Sequence, residues 1–329
     1  MINTLKQLIN ISSVTGHEEL IAKYVADYLV KNDLSPQVYD NNIVCKVIDK
    51  EPSITLVGHL DTVPPALNQS ISIVAGDLVY GRGACDMKAG LTVMLELAGL
   101  KEAVHGLNLV FYAAEEGPLP NGLTELIEHN RLDFNSQYIV LEPTNCVPMT
   151  ACRGRLLSKI VVKGKATHSY DPSLGDNAII KASKLIQKIN DSFVIGESMC
   201  VTNINTFNPD NQIPDHCELM IDYRYRLGDL SYAKARLKEL LGQHLDYEFI
   251  DESEGCQTIP KNLLINFVDS FSCNSIFPAW CDIAQLNNNG YPAIVFGPGK
   301  LDLAHTDNEH VSIKSMNEAY NALRKFLTE

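Results

Sequence analysis

An α/β layer carrying an inserted ferredoxin-like α+β domain is the fold class that this sequence predicts. Three observations lead there. Solidly apolar strand-length runs alternate with helix-length segments up to about residue 150. The order then changes to strand–helix–strand–strand–helix–strand, the split βαβ arrangement. After residue 260 an α/β pattern resumes, but over a stretch too short to fold alone.

The elements follow in order. Residues 18–31 (EELIAKYVADYLVK) carry apolar residues at helical spacing and read as an amphipathic helix. Strands are expected at 43–48, 54–58, 107–113 and 138–141, with a helix over 88–101 between the second and third. Several of these strands are apolar throughout, which implies a largely parallel sheet buried on both faces. The inserted segment reads as a strand at 156–164, a helix at 177–190, strands at 200–207 and 216–225, a helix at 230–241 and a strand at 246–251. A strand at 293–296 and a helix at 312–327 complete the first domain. The expected division is therefore 1–152 with 261–329 as one domain and 153–260 as the insertion.

Composition narrows the function. The chain has 329 residues, 45% of them hydrophobic and 20% charged, so it can bury a core without disulfides or a structural metal. Acidic residues exceed basic ones by 40 − 27 = 13. That balance argues against nucleic-acid and anionic-membrane partners, both of which need a basic footprint. No apolar run approaches a membrane span, and the N-terminus lacks the pattern of a secretory signal. The nine cysteines are odd in number and show no C-x-x-C pair, which fits reduced thiols and a cytoplasmic location.

Five segments hold the candidate ligands: Gly58-His59-Leu60-Asp61, Gly83-Ala84-Cys85-Asp86, Ala114-Glu115-Glu116-Gly117, Leu141-Glu142-Pro143 and Ala304-His305. Each has a plainer reading when taken alone. A lone histidine is usually solvated or hydrogen-bonded, an EE pair is usually a loop feature, and Asp86 could cap the helix that follows it. Together they fall at one sheet edge, because ligands gather outside the carboxyl ends of parallel strands. Two histidines with at least four carboxylates call for a cation. Zn²⁺ suits mixed imidazole and carboxylate ligands, with Co²⁺ or Mn²⁺ as substitutes. Two ions about 3.5–4 Å apart, sharing a carboxylate, would account for the number of groups. In His59-x-Asp61 the acid suits the second ring nitrogen of a metal-bound histidine. Of the adjacent Glu115 and Glu116, one can bind metal while the other acts as general base.

These motifs, GHLDTVPP, GRGACDMKAG, AEEG, LEPTN, KATHS, NQIPDHCELMIDYRY and PAIVFGPG…AHTDNEHV, resemble in their order the landmarks of a family. It is the two-metal deacylases and exopeptidases that include aminoacylases, acetylornithine deacetylase and succinyl-diaminopimelate desuccinylase. The resemblance runs from Gly58 to Val311 and implies a zinc-peptidase-like catalytic domain with an inserted lid and dimerisation domain. It implies Asp86 as the carboxylate bridging two Zn²⁺ ions, with His59 and Glu142 completing one site and Glu116 and His305 the other. Glu115 becomes the general base, and Asp61 the acid that orients the histidine. His168 would reach a partner subunit's active site in a homodimer and stabilise the oxyanion. Arg153, Asn211 and Arg224 would meet substrate, and Asp282 would lie near the site.

Within the family the sequence is most similar to the short succinyl-diaminopimelate desuccinylases. Removal of succinate from N-succinyl-LL-2,6-diaminopimelate is the activity this implies, with deacetylation of N-acetylornithine or a related N-acetyl amino acid as the alternative. Arg153 and Arg155 are available for the succinyl carboxylate, which favours the first. Glu142 stands where the family's aminopeptidases carry Asp, which disfavours an exopeptidase. A catalytically dead binding protein would lack a ligand or the base, and none is missing. Two departures, Cys152-Arg153-Gly154-Arg155 and Cys281, touch substrate recognition rather than metal chemistry.

Overall fold

In the computed structural model the apolar runs at Ser53–His59, Gly106–Tyr112 and Gln137–Val140 are strands buried along their whole lengths. Burial on both faces goes with parallel pairing and helical cover. Ser53–His59 pairs in parallel with Gly106–Tyr112 on one side and with Gln137–Val140 on the other. Ala293–Val295 then extends the parallel set beside Gln137–Val140. The structure describes residues 1–329 apart from 67–70, 118, 193, 227–229, 243–245, 261 and 272–274.

Parallel pairing holds only at the centre of this sheet. Asn42–Ile48 runs antiparallel to Gly106–Tyr112, and Gln37–Tyr39 antiparallel to Asn42–Ile48. The outer pair is a hairpin whose two-residue turn has Asp40 at φ 51°, the left-handed conformation such turns require. On the far side the strand that begins at Met149 meets Val295 antiparallel.

Helix Glu19–Lys31 buries Ile21, Ala22, Val25 and Leu29, one stripe of its surface. Helix Lys88–Leu97 is buried at nearly every position and begins immediately beyond Asp86 and Met87. With the closing helix Ile313–Thr328 these elements share one core, which includes Leu56, Leu91, Met94, Phe111 and Leu323. Four short helices, Ile2–Asn10, Gly122–Glu128, Leu263–Asp269 and Ile283–Asn288, go beyond the sequence reading. None is long enough for its periodicity to stand out.

The chain forms two compact units. One comprises Met1–Ala151, Thr258–Phe277 and Gln285–Glu329; the other comprises Cys152–Gln257 and Pro278–Ala284. In the second unit, Gly154–Lys163 and His216–Tyr225 bury alternate residues, as strands with one covered face do. The order across its sheet is Ser198–Asn205, His216–Tyr225, Gly154–Lys163, Asp246–Ser253, with every pair antiparallel. Helices Ala178–Asn190 and Leu230–Leu241 share a core with this sheet, through Ala182, Leu185, Ala233 and Leu237. This is the ferredoxin-like arrangement. Residue 261, where the sequence reading resumes the first domain, lies outside the described residues. Among the described residues no helix is long and apolar enough to cross a membrane.

Candidate metal centre

The parallel register brings the ligand segments to one edge. His59 ends its strand opposite Tyr112, and Val57 stands opposite Val140. Glu115, Glu116 and Glu142 therefore leave the sheet beside His59. Asp86 arrives from the turn before helix Lys88–Leu97, and His305 from the loop after the short turn Leu301–Leu303.

Asp86 presents one carboxylate oxygen to each histidine. Oδ1 lies 3.3 Å from His59 Nε2, and Oδ2 lies 3.4 Å from His305 Nε2. Glu142 Oε1 lies 3.4 Å from His59 Nε2, and Glu116 Oε1 lies 2.9 Å from His305 Nε2. The cluster thus divides into His59 with Glu142 and His305 with Glu116, joined by Asp86. Ligand atoms of His59, Asp86 and Glu116 all lie within 4.8 Å of one another. The capping role open to Asp86 in the sequence is absent: the helix behind it has no side-chain cap.

The electrostatics fit a cation. His59 Nδ1 lies 3.1 Å from the Asp61 main-chain oxygen, and a proton donated there leaves Nε2 as a bare lone pair. In a neutral ring that lone pair would face two carboxylates, an arrangement that is repulsive unless positive charge, a metal ion or a second proton on the ring, lies between them. Burial pushes the His59 imidazole down, but Asp61, Asp86 and Glu142 outweigh it and hold the ring well above its ordinary value. Asp86 and Glu116 raise His305 to about 10. Burial pushes Asp86 up, and the two histidines overcome this and hold it below the ordinary carboxylate range. A mixed imidazole and carboxylate set with a two-sided acid at its centre suits a pair of divalent ions.

A second layer holds the Glu115–Glu116 loop. Asp61, fully buried, accepts the Glu115 and Glu116 backbone N–H groups at 3.0 Å each and the Thr15 hydroxyl at 2.8 Å. Glu18, also buried, accepts the N–H of Ala114 at 3.2 Å. Ala114 and His305 have φ of 63° and 61°, conformations that residues with a Cβ rarely adopt. Such outliers concentrate where surrounding structure over-determines a site. Thr15 and Glu18 are not legible in the sequence, because Thr15 meets the Asp61 carboxylate and Glu18 the Ala114 N–H, each far along the chain, and neither forms a motif with its target.

The other sequence-predicted residues belong to the second unit. His168 is exposed on the two-residue strand Thr167–His168, and its Nδ1 accepts the Tyr170 N–H at 3.2 Å. That strand pairs with Gln212–Ile213; Asn211, also exposed, accepts the Ser169 N–H on its carbonyl at 2.9 Å. Arg153 is half-buried, and its backbone N–H donates to the Ala279 carbonyl at 3.1 Å. Arg224 is bound to Asp222 through two contacts, of 2.7 and 3.0 Å. Asp222 also takes Arg155 Nε at 3.2 Å, and Arg155 Nη1 lies 3.3 Å from Asp251. Asp282 is buried.

A mixed sheet with this His and carboxylate cluster at the exits of its central parallel strands, and a ferredoxin-like insertion in the chain, has the form of a metal-dependent hydrolase. Residues 55–329 match the sequence profile of peptidase family M20/M25/M40, and the chain belongs to that family. It is a metal-dependent amide hydrolase. The chain is similar to succinyl-diaminopimelate desuccinylase of Corynebacterium glutamicum, at 28% identity over 98% of this chain and 95% of the relative. Similarity to acetylornithine deacetylase of Myxococcus xanthus is 26%, over 80% of this chain and 76% of the relative. Among solved structures, a Staphylococcus aureus tripeptidase shares the fold with a TM-score of 0.78 at 22% identity, covering 99% of this chain and 96% of that one. A dinuclear metal-binding peptidase of Bacillus subtilis shares it with a TM-score of 0.68 at 14% identity, covering 99% and 96%.

Proposed function

We propose that this chain is a cytoplasmic two-zinc deacylase that removes succinate from N-succinyl-LL-2,6-diaminopimelate, in the biosynthesis of diaminopimelate and lysine. The observation that carries the two-metal reading is Asp86, with one oxygen toward His59 and the other toward His305. On this reading His59 and Glu142 would hold one ion and Glu116 and His305 the second, with Asp86 available to both. Substrate assignment rests on the near full-length similarity to a desuccinylase and on Glu142, the residue type of the family's deacylases.

The ions, when bound, polarise the acyl carbonyl and acidify a water near neutral pH. Glu115 takes the proton from the attacking water and passes it to the amine nitrogen as the C–N bond breaks. The products are succinate and the free amine. Asp61 fixes the loop that carries Glu115. His168, offered by the inserted domain of a partner subunit in a homodimer, donates a hydrogen bond to the developing oxyanion. Arg153 and Asn211 meet the substrate's carboxylate and carbonyl groups. Arg224 shares that role only if substrate competes with Asp222, its present partner.

One observation favours deacetylation of an N-acetyl amino acid such as N-acetylornithine instead. Arg155, a candidate for the succinyl carboxylate, is occupied by Asp222 and Asp251. Released primary amine, followed across a substrate panel with added Zn²⁺ or Co²⁺, decides between them. We expect kcat/KM for the succinyl substrate to exceed that for N-acetylornithine by roughly 10²-fold or more, since a site built for a polar group rejects an analogue lacking it. Equal rates would refute the succinyl assignment, and the reverse order would establish the second reading. An active monomer on size-exclusion chromatography would remove His168 from the mechanism.

A further inference from the structure

The first unit holds a further buried carboxylate beside the candidate metal cluster, and no step above uses it. Glu309 has a fully buried side chain. Its Oε2 lies 2.7 Å from Nη1 of the equally enclosed Arg82. Its Oε1 accepts the backbone N–H of Cys85 at 3.0 Å and of Asp86 at 3.2 Å. The Gly83 amide also donates to this carboxylate. The main chain joins in, with the Gly81 N–H on the Glu309 carbonyl at 3.1 Å. The turn from Gly81 to Asp86 is thus wrapped around one side chain.

Burying a carboxylate costs several kcal/mol unless it is fully paired. Here one guanidinium and successive amides provide the pairing, and two of those amides sit at Asp86 and the residue before it. His305 is four residues upstream on the same loop. One loop therefore grips Asp86 twice: His305 Nε2 lies 3.4 Å from its carboxylate, and Glu309 takes its backbone N–H. We propose that Glu309 is a positioning residue that sets the affinity of the metal pair by holding the Asp86 peptide through its N–H groups. The inference rests on the two-metal reading of the site.

Its test is zinc binding, read by competition with a chromophoric chelator on the full chain, with no substrate present. Glu309→Asp keeps the charge opposite Arg82 but is one carbon too short to reach the amides. The double variant Arg82→Met with Glu309→Gln keeps the reach and an acceptor oxygen while removing both charges. We expect Glu309→Asp to weaken zinc binding by about 10- to 100-fold, the usual cost of losing a residue that orients a ligand. The double variant should stay within about threefold of wild type on the same scale.

A wild-type chain that binds fewer than two zinc ions would end the two-metal reading by itself. A two-zinc wild type with unchanged affinity in Glu309→Asp would overturn the role of Glu309 and leave that reading intact. Equal losses in both variants would also overturn it, because reach would then not be the property that matters. Absence of a cooperative melt in metal-free Glu309→Asp counts against it as well, since the residue would then support the fold rather than Asp86.

Discussion

Asp61 receives the backbone N–H of Glu115 on Oδ1 at 3.0 Å. Its other oxygen takes the Glu116 N–H and the Thr15 hydroxyl. The His59 ring is nearer to the main-chain oxygen of Asp61, at 3.1 Å, than to its carboxylate, at 3.4 Å. The acid two residues after His59 thus does two jobs with different atoms. Its carbonyl sets the imidazole, and its carboxylate holds the loop that offers Glu115 and Glu116 to the site.

Substitution of Asp61 by Asn should separate those jobs. The carbonyl contact to His59 survives, but the amide has one acceptor where two buried N–H groups need two. Its NH₂ must face a donor. A buried donor left without a partner costs about 1–3 kcal/mol. We expect Asp61→Asn to lose about that much stability in urea unfolding and about 10²-fold in kcat/KM. Wild-type turnover in this variant would show that the loop needs no such support.

The helix behind Asp86 and the strand end before Glu142 meet at Gly90. A Cβ placed there would lie 2.4 Å from the Leu141 carbonyl oxygen and 2.9 Å from the Leu141 Cβ. In an open helix, Gly to Ala gains up to about 1 kcal/mol. Here overpacking of about 1–3 kcal/mol opposes that gain, and backbone atoms cannot step aside. We expect Gly90→Ala to lower the thermal midpoint and weaken zinc binding together, because Glu142 follows the displaced Leu141. A higher midpoint would mean that the helix and strand separate at no cost.

Chelation should destabilise the chain reversibly. An ion that binds only the folded state adds stability by mass action, about 2.7 kcal/mol per site at a free concentration one hundred times Kd. Without cations, Asp86, Glu116 and Glu142 crowd around two imidazoles. The chelated chain should melt lower by several degrees and recover on adding Zn²⁺. An unchanged melt would argue against any tight site.

Alkaline conditions also probe the core. Burial in the shared core raises the Cys45 thiol to about 11. A raised acid keeps its proton in the folded state after the unfolded chain has lost it. Between about pH 9 and 11 the native state therefore binds more protons, and stability falls as pH rises. The loss is complete once pH passes the folded value. Urea titrations at pH 8 and 11 should show a steeper decline for wild type than for Cys45→Val. Parallel declines would place the alkaline sensitivity elsewhere.

Most of the candidate cluster is legible because its members, Asp86 excepted, end or follow an apolar run, and a run buried on both faces implies parallel pairing with its exits at one edge. His59, Glu115 and Glu142 are placed by that rule alone. The antiparallel edges were not legible, since the direction of Asn42–Ile48 depends on connections that composition does not encode. Nor were Thr15, Glu18 and Glu309. Each works through hydrogen bonds to chain distant in sequence, and such partnerships leave no periodicity. The engagement of Arg155 by Asp222 and Asp251 was hidden for a related reason. Side chains on neighbouring strands meet only once register is fixed, and one residue of slip would have faced Arg155 the other way.

Glu115 tests the proposed chemistry most directly. Its backbone N–H is held by Asp61, so replacing its side chain leaves that hydrogen bond in place. The proposed metal ligands lie on other residues, so metal content should not change. Gln has the shape of Glu but no basic oxygen, and it cannot take a proton from water at neutral pH. General-base catalysis is worth about 10²–10⁴-fold. In this mechanism the same group also returns the proton to the amine, which puts the expected fall in kcat for Glu115→Gln at about 10³-fold or more. KM should stay near its wild-type value, because the interaction removed belongs to the transition state. Two metals per chain by elemental analysis must accompany that loss. The fall should be similar on succinyl and acetyl substrates, since proton transfer does not depend on the acyl group. Residual activity within tenfold of wild type would pass the role of base to another group, and a loss confined to one substrate would make Glu115 a recognition residue instead.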